Sequence, residues 1–149
     1  MNIRRGFTLI EMLIVVVILA IISSITISGF YRFREDTMLD RMAVDVKSIL
    51  TKARQQTLTA KNGYAYGVRF NDQQIFLYKG SFSSSSSELI INVDPLVSMS
   101  SSSFSGGTND IRFTKFTGEP SATGTINVSL DSDKTRYRTI TVYQSGLTD

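Results

Sequence analysis

The chain has 149 residues, a formal charge of +3, and neither cysteine nor histidine. That length holds one modest domain plus a short further segment, without room for a second catalytic domain, and the lack of cysteine excludes a disulfide framework and thiolate chemistry. The charge is weaker than the pI of about 9.3 suggests: 16 basic side chains less Arg4 and Arg5 leaves 14 against 13 acidic ones, a near balance that says little about nucleic acid or acidic lipid.

The first element follows a short basic leader. Arg4-Arg5-Gly6-Phe7-Thr8-Leu9-Ile10-Glu11 runs into the apolar segment Met12 to Ile22, and from Phe7 to Ile27 the only polar side chains are Thr8, Glu11, Ser23, Ser24 and Thr26. About 20 helical residues cross a hydrocarbon core of ~30 Å, so residues 7–28 are predicted to form a transmembrane helix. Glu11 lies inside the apolar run, where an ionised carboxylate costs roughly 2.5–3.5 kcal/mol. No Lys, Arg or His stands between it and Arg32. Its counter-charge therefore comes from outside this stretch, another subunit being one source, or the acid is held protonated in lipid. A secretory signal peptide would have a shorter apolar region and a small-x-small cleavage site. A generic membrane anchor gives no reason for Gly6-Phe7 or for Glu11.

Gly6-Phe7-Thr8-Leu9-Ile10-Glu11, after a basic leader and before an unbroken apolar helix, resembles the class III signal of type IV pilins and type II secretion pseudopilins. The resemblance implies that a membrane-embedded prepilin peptidase removes leader residues 1–6 by cutting between Gly6 and Phe7, and that the new Phe7 amine is N-methylated. It also implies that Glu11 pairs with the terminal amine of a neighbouring subunit during assembly, which would supply the missing cation. Arg4 and Arg5 would hold the leader on the cytoplasmic side. Arg32 and Arg34 balance them at the far end, so the motif, more than charge, sets the orientation.

Further along, Phe30-Tyr31-Arg32-Phe33 is an aromatic and basic cluster of the kind that favours a bilayer interface. Residues 29–62 read as the amphipathic continuation of the helix: Leu39, Met42, Ala43, Val46, Ile49, Leu50 and Ala53 have the spacing of one helical face. The expected stop is Lys61-Asn62-Gly63, with Gly63 as the left-handed cap.

In residues 63–149 the periodicity changes to two. Predicted strands are 64–70 and 74–79, joined by a turn at Asn71-Asp72-Gln73, then 88–93, 111–116, 125–130 and 136–143. Tyr66, Val68 and Phe70 share one face, as do Ile126, Val128 and Leu130. Serine-rich stretches at Ser81 to Ser87 and Ser98 to Ser105 read as surface loops. The expected fold is α+β: a long N-terminal helix packed on a small antiparallel β-sheet head.

The head is similar to the GspH/FimT group of minor pseudopilins at Tyr66-Gly67-Val68-Arg69-Phe70, Ile111-Arg112-Phe113 with Gly118, Gly124-Thr125-Ile126, and Thr139-Ile140-Thr141-Val142 near Ser145-Gly146. That group often has an arginine after the last glycine, where Leu147 stands here. Membership implies a subunit that primes a filament or sits near its tip, with other pilins and an inner-membrane assembly platform as partners.

Catalysis fails on inventory, since no histidine, cysteine, phosphate loop or acid pair with a nucleophile is present. No cofactor or metal is expected. Asp131-Ser132-Asp133 is followed at once by Lys134 and reads as a turn, not a calcium loop. Arg112, Lys115, Lys134, Arg136 and Arg138, with Tyr137 and Tyr143 near by, are the candidates for a DNA contact. The competing reading is a solvated strand edge. The sequence points to a non-enzymatic, membrane-anchored filament subunit with its head on the periplasmic or extracellular side. The alternatives are a DNA-capturing or adhesive minor pilin, or an anchored binding head that does not polymerise.

Overall fold

The computed structural model describes residues 6–83, 86–100, 104–105 and 109–149, with the side chains of residues 25–29 excepted. Arg4 and Arg5, and parts of both serine-rich stretches, lie outside the described residues. The chain divides into two compact units, Met1–Asp36 and Thr37–Asp149, and one helix, α1 (Leu9–Leu58), contributes to both.

In the first unit every described side chain from Gly6 to Ser24 is exposed, and apolar residues occupy all sides of the helix. Among the described residues no helix is long and apolar enough to cross a membrane. The apolar part of α1 with described side chains, residues 9–24, is 16 residues long, against the roughly 20 that a span requires. The hydroxyls within it donate back along the helix, Ser23 Oγ to the Leu19 carbonyl at 2.7 Å and Ser24 Oγ to that of Ile21 at 2.8 Å, so neither is left without a partner in apolar surroundings.

In the second unit the helix buries one stripe. Leu39, Met42, Val46, Ile49, Leu50 and Ala53 are in the core and Ala43 packs against it, as the 3.6-residue spacing requires. Against this stripe lie two antiparallel sheets, where a single one was expected. The first, in spatial order β3-β2-β1-β5, comprises β1 (Tyr66–Phe70), β2 (Gln74–Lys79), β3 (Ser87–Asn92) and β5 (Asp110–Arg112). The second, in order β4-β6-β7, comprises β4 (Val97–Ser100), β6 (Gly124–Leu130) and β7 (Tyr137–Val142). Tyr66, Val68 and Phe70 from β1 and Ile126, Val128 and Leu130 from β6 all point into the shared core.

Three boundaries differ from the sequence reading. Val97–Ser100 is a strand paired with β6, not part of a serine loop. Val97 is buried and Met99 packs on the core while serines alternate with them, and burial on one face fixes the register. The helix ends at Leu58, and Ala60, not Gly63, is the first left-handed residue, at φ 47°. Thr57 explains this early exit. It is fully buried, donates to the Ala53 carbonyl at 2.9 Å and accepts the Tyr66 N–H at 2.9 Å, so the chain must reverse within nine residues. Finally, β5 stops at Arg112. The Thr114 N–H donates to the Glu119 carbonyl and the Gly118 N–H to that of Thr114, a tight turn that leaves Phe116 exposed at φ 69°.

Candidate processing and assembly site

Gly6, Phe7 and Thr8 precede the helix. The Glu11 N–H donates to Thr8 Oγ1 at 3.3 Å, and the Met12 N–H to the Thr8 carbonyl at 3.3 Å. Thr8 is therefore the N-cap and Glu11 the third helical residue, the Thr-x-x-Glu spacing of a capping box. A carboxylate in the first turn also meets the positive end of the helix dipole. Sequence reasoning treated Glu11 only as an acid in search of a cation, although Thr8 three residues earlier was the signal for this second, local role.

Gly6 is not required by the chain's own packing. Among the described residues, a Cβ added there would meet nothing within 4 Å. Gly146 is the opposite case. At φ 75° its added Cβ would collide with the Gly118 carbonyl and crowd Arg54. Arg54 bridges both turns, Nε to the Gly118 carbonyl at 3.3 Å and Nη2 to that of Ser145 at 3.1 Å. A glycine with a structural reason and one without are thus found in the same chain.

The basic candidates fall on two sheets. Arg112 is at the end of β5, and Lys115, in the turn after it, donates to the Gly63 carbonyl. Arg138, on β7, holds Asp40 of the helix at 2.8 Å, and Arg136 is half-buried just before β7. Lys134 donates to Asp131 at 2.6 Å and also to Ser98. The hydrogen bond from Lys134, then its charge, holds the Asp131 carboxyl below the usual range, and the Thr135 hydroxyl and N–H do the same for Asp133. These two acids are thereby engaged in the turn itself. Among the described residues, no three acids are grouped to hold a metal ion.

Two further groups escaped the sequence reading. Tyr78 is fully buried and its hydroxyl donates to Asp110 at 2.5 Å. Burial first, and then the Asp110 carboxylate, push its pKa up to about 12. Phe82 stands edge-on to Phe76 and Tyr78 and lies under the Arg69 guanidinium, 4.4 Å from its ring centre.

Residues 1–27 match the family model described as the prokaryotic N-terminal methylation motif. Among solved structures, the type IV minor pilin FimU of Pseudomonas aeruginosa is similar at a TM-score of 0.58 and 12% identity, over 74% of this chain and 90% of that one. No curated protein matches in sequence. The chain thus joins a methylation motif, leading directly into a capped helix, to a head with the fold of a type IV minor pilin.

Proposed function

We propose that the protein is a structural subunit, a minor pilin or pseudopilin, of a type IV pilus or type II secretion filament. Residues 1–6 are a leader cut by a prepilin peptidase between Gly6 and Phe7, and the Phe7 amine is then methylated. Residues 7–28 anchor the subunit in the cytoplasmic membrane as a single span, and the head lies on the periplasmic or extracellular side. The observation that carries this reading is Gly6, a glycine that no contact among the described residues explains, at the motif's cleavage position and two residues before the N-cap. A peptidase that needs unhindered backbone supplies the reason.

The apolar helix around Glu11 packs with those of neighbouring subunits and of the assembly platform. Glu11 receives a neighbour's Phe7 amine while its N–H stays capped by Thr8. The sequence stretches at Tyr66–Phe70, Gly118, Gly124 and Gly146, which resemble the GspH/FimT group, are the support for a place in it. Capture of DNA has weaker support, because Lys115, Lys134 and Arg138 are engaged by groups of the chain itself.

The N-terminal mass of membrane-extracted protein tests the proposal, measured from cells with and without the peptidase. A methylated Phe7 terminus that is lost without the enzyme is expected. A Met1 terminus in both would leave a plain anchored head. Glu11→Ala is expected to lower incorporation into filaments by about tenfold or more, the size of losing a charge-assisted hydrogen bond. Wild-type incorporation would remove the pairing step.

A further inference from the structure

The two sheets treat their edges differently. At β5 the Arg112 N–H donates to Ser121 Oγ at 3.0 Å and its carbonyl accepts the Ser121 N–H at 2.7 Å. At β7 Thr141 exchanges two hydrogen bonds with Asp149, at 3.0 and 3.1 Å. Among the described residues the edge at β3 has no such cover. The Val93 N–H donates to the Gln73 carbonyl at 2.8 Å, and Ile91 and Leu89 stand opposite Ile75 and Leu77. By the alternation of an antiparallel ladder, the backbone groups of Ile90 and Asn92 point away from β2. Among the described residues none pairs with them. Sequence devices that blunt an edge, a lysine or proline within the strand, are also missing from Ser87–Asn92.

The surroundings of this edge are apolar on one face and mixed apolar and charged on the other. Ile90 is 49% exposed and is in register with Phe76, whose ring meets Phe82. On the other face a groove of about 490 Å³ runs between β3 and the helix, lined by Met38, Met42 and Ile91, with Arg41, Asp45 and Asp94 also bordering it. Two carboxylates against one guanidinium leave it net negative.

We infer that the open edge of β3 is a strand-addition site for an extended segment of another polypeptide, apolar at alternate positions and carrying a basic residue toward Asp45 and Asp94. Backbone hydrogen bonds to Ile90 and Asn92 supply the affinity, and the groove reads the inward side chains. A second copy of β3 is not the occupant. A two-fold antiparallel β3 pair has its axis normal to the sheet, which would set the two packed helices in opposite directions, whereas subunits of the filament proposed above run parallel, so this exclusion rests on that reading. This inference is independent of processing at Gly6.

The test uses isotope-labelled full-length protein in detergent micelles. The probe is an acetylated heptapeptide alternating valine and threonine, with one lysine near its end. Saturable binding is expected, with amide exchange at Ile90 and Asn92 slowed at least tenfold and that at Leu89 and Ile91 unchanged. Ile90→Pro removes an N–H that takes no part in the β2 ladder, and should weaken binding at least tenfold with the melting temperature preserved. A peptide N-methylated on alternate amides tests the same bonds without altering the protein and should not bind. Absence of binding at millimolar peptide, or equal binding by the N-methylated peptide or by folded Ile90→Pro, overturns the inference. So does a peptide-free dimer in which Ile90 and Asn92 are already protected.

Discussion

The two halves of α1 are equally helical but use apolar residues differently. From Leu39 to Ala53 they recur on one side and are covered by the chain's own sheets. From Leu9 to Ile22 they occupy every side and are exposed. A helix that is apolar all round has to be buried by something other than its own head. The first pattern therefore contributes to folding, and the second to the insertion and assembly proposed above.

Core substitutions should separate the halves most sharply. Leu50→Ala is expected to destabilise the head by about 3 kcal/mol, while Ile14→Ala, at an exposed position, should leave head unfolding within ~0.5 kcal/mol. Thermal or urea unfolding followed by tyrosine fluorescence measures both, and similar losses would erase the distinction. Gly146→Ala, driven into the Gly118 carbonyl at positive φ, should cost about 2–3 kcal/mol, whereas Gly6→Ala should change only processing. Thr57→Val leaves the buried Tyr66 N–H without an acceptor and should cost about 1–3 kcal/mol.

A smaller effect depends on pH. The folded pKa of Tyr78, about 12, is above the usual 10. Its contribution is complete below pH 10 and is lost as pH rises toward 12, because the unfolded chain ionises first. A flatter alkaline unfolding profile for Tyr78→Phe would assign that loss to this residue. The smallest effect is expected for Arg138→Ala. Its partner Asp40 and Arg138 itself are both largely exposed, so the change should be about 0.2–1 kcal/mol and should shrink with salt.

How much was legible follows the range of the forces involved. The stripe from Leu39 to Ala53 and the alternation in β1, β2 and β6 are local periodicities, and the sequence displays them. β4 was hidden because Ser98 and Ser100 resemble a linker, although Val97 and Met99 alternate with them at the strand period. The helix end was misplaced because Gly63 is the obvious cap by propensity, while Thr57 and Tyr66 impose the turn through a buried hydrogen bond. At the motif, the residue identities of Gly6, Phe7 and Glu11 were legible, and the Thr8-x-x-Glu11 spacing carried the cap as well, masked by the more conspicuous reading of Glu11 as an acid in search of a cation. The engagement of Arg138 by Asp40 joins residues 98 apart, and no local pattern encodes it.

The bridge from Arg54 to Ser145 spans 91 residues, which has a consequence for the order of events during translation. The stripe on α1 is synthesised well before β6, β7 and the final turn that help to cover it. It stays open to solvent or to a chaperone until those late residues are available, since contacts so distant in sequence close last. The apolar N-terminal half needs none of them and is ready for a targeting machinery almost at once. Under the function proposed above, delivery to the membrane can thus precede completion of the head, and the Arg54 bridge then forms only once the last residues are in place.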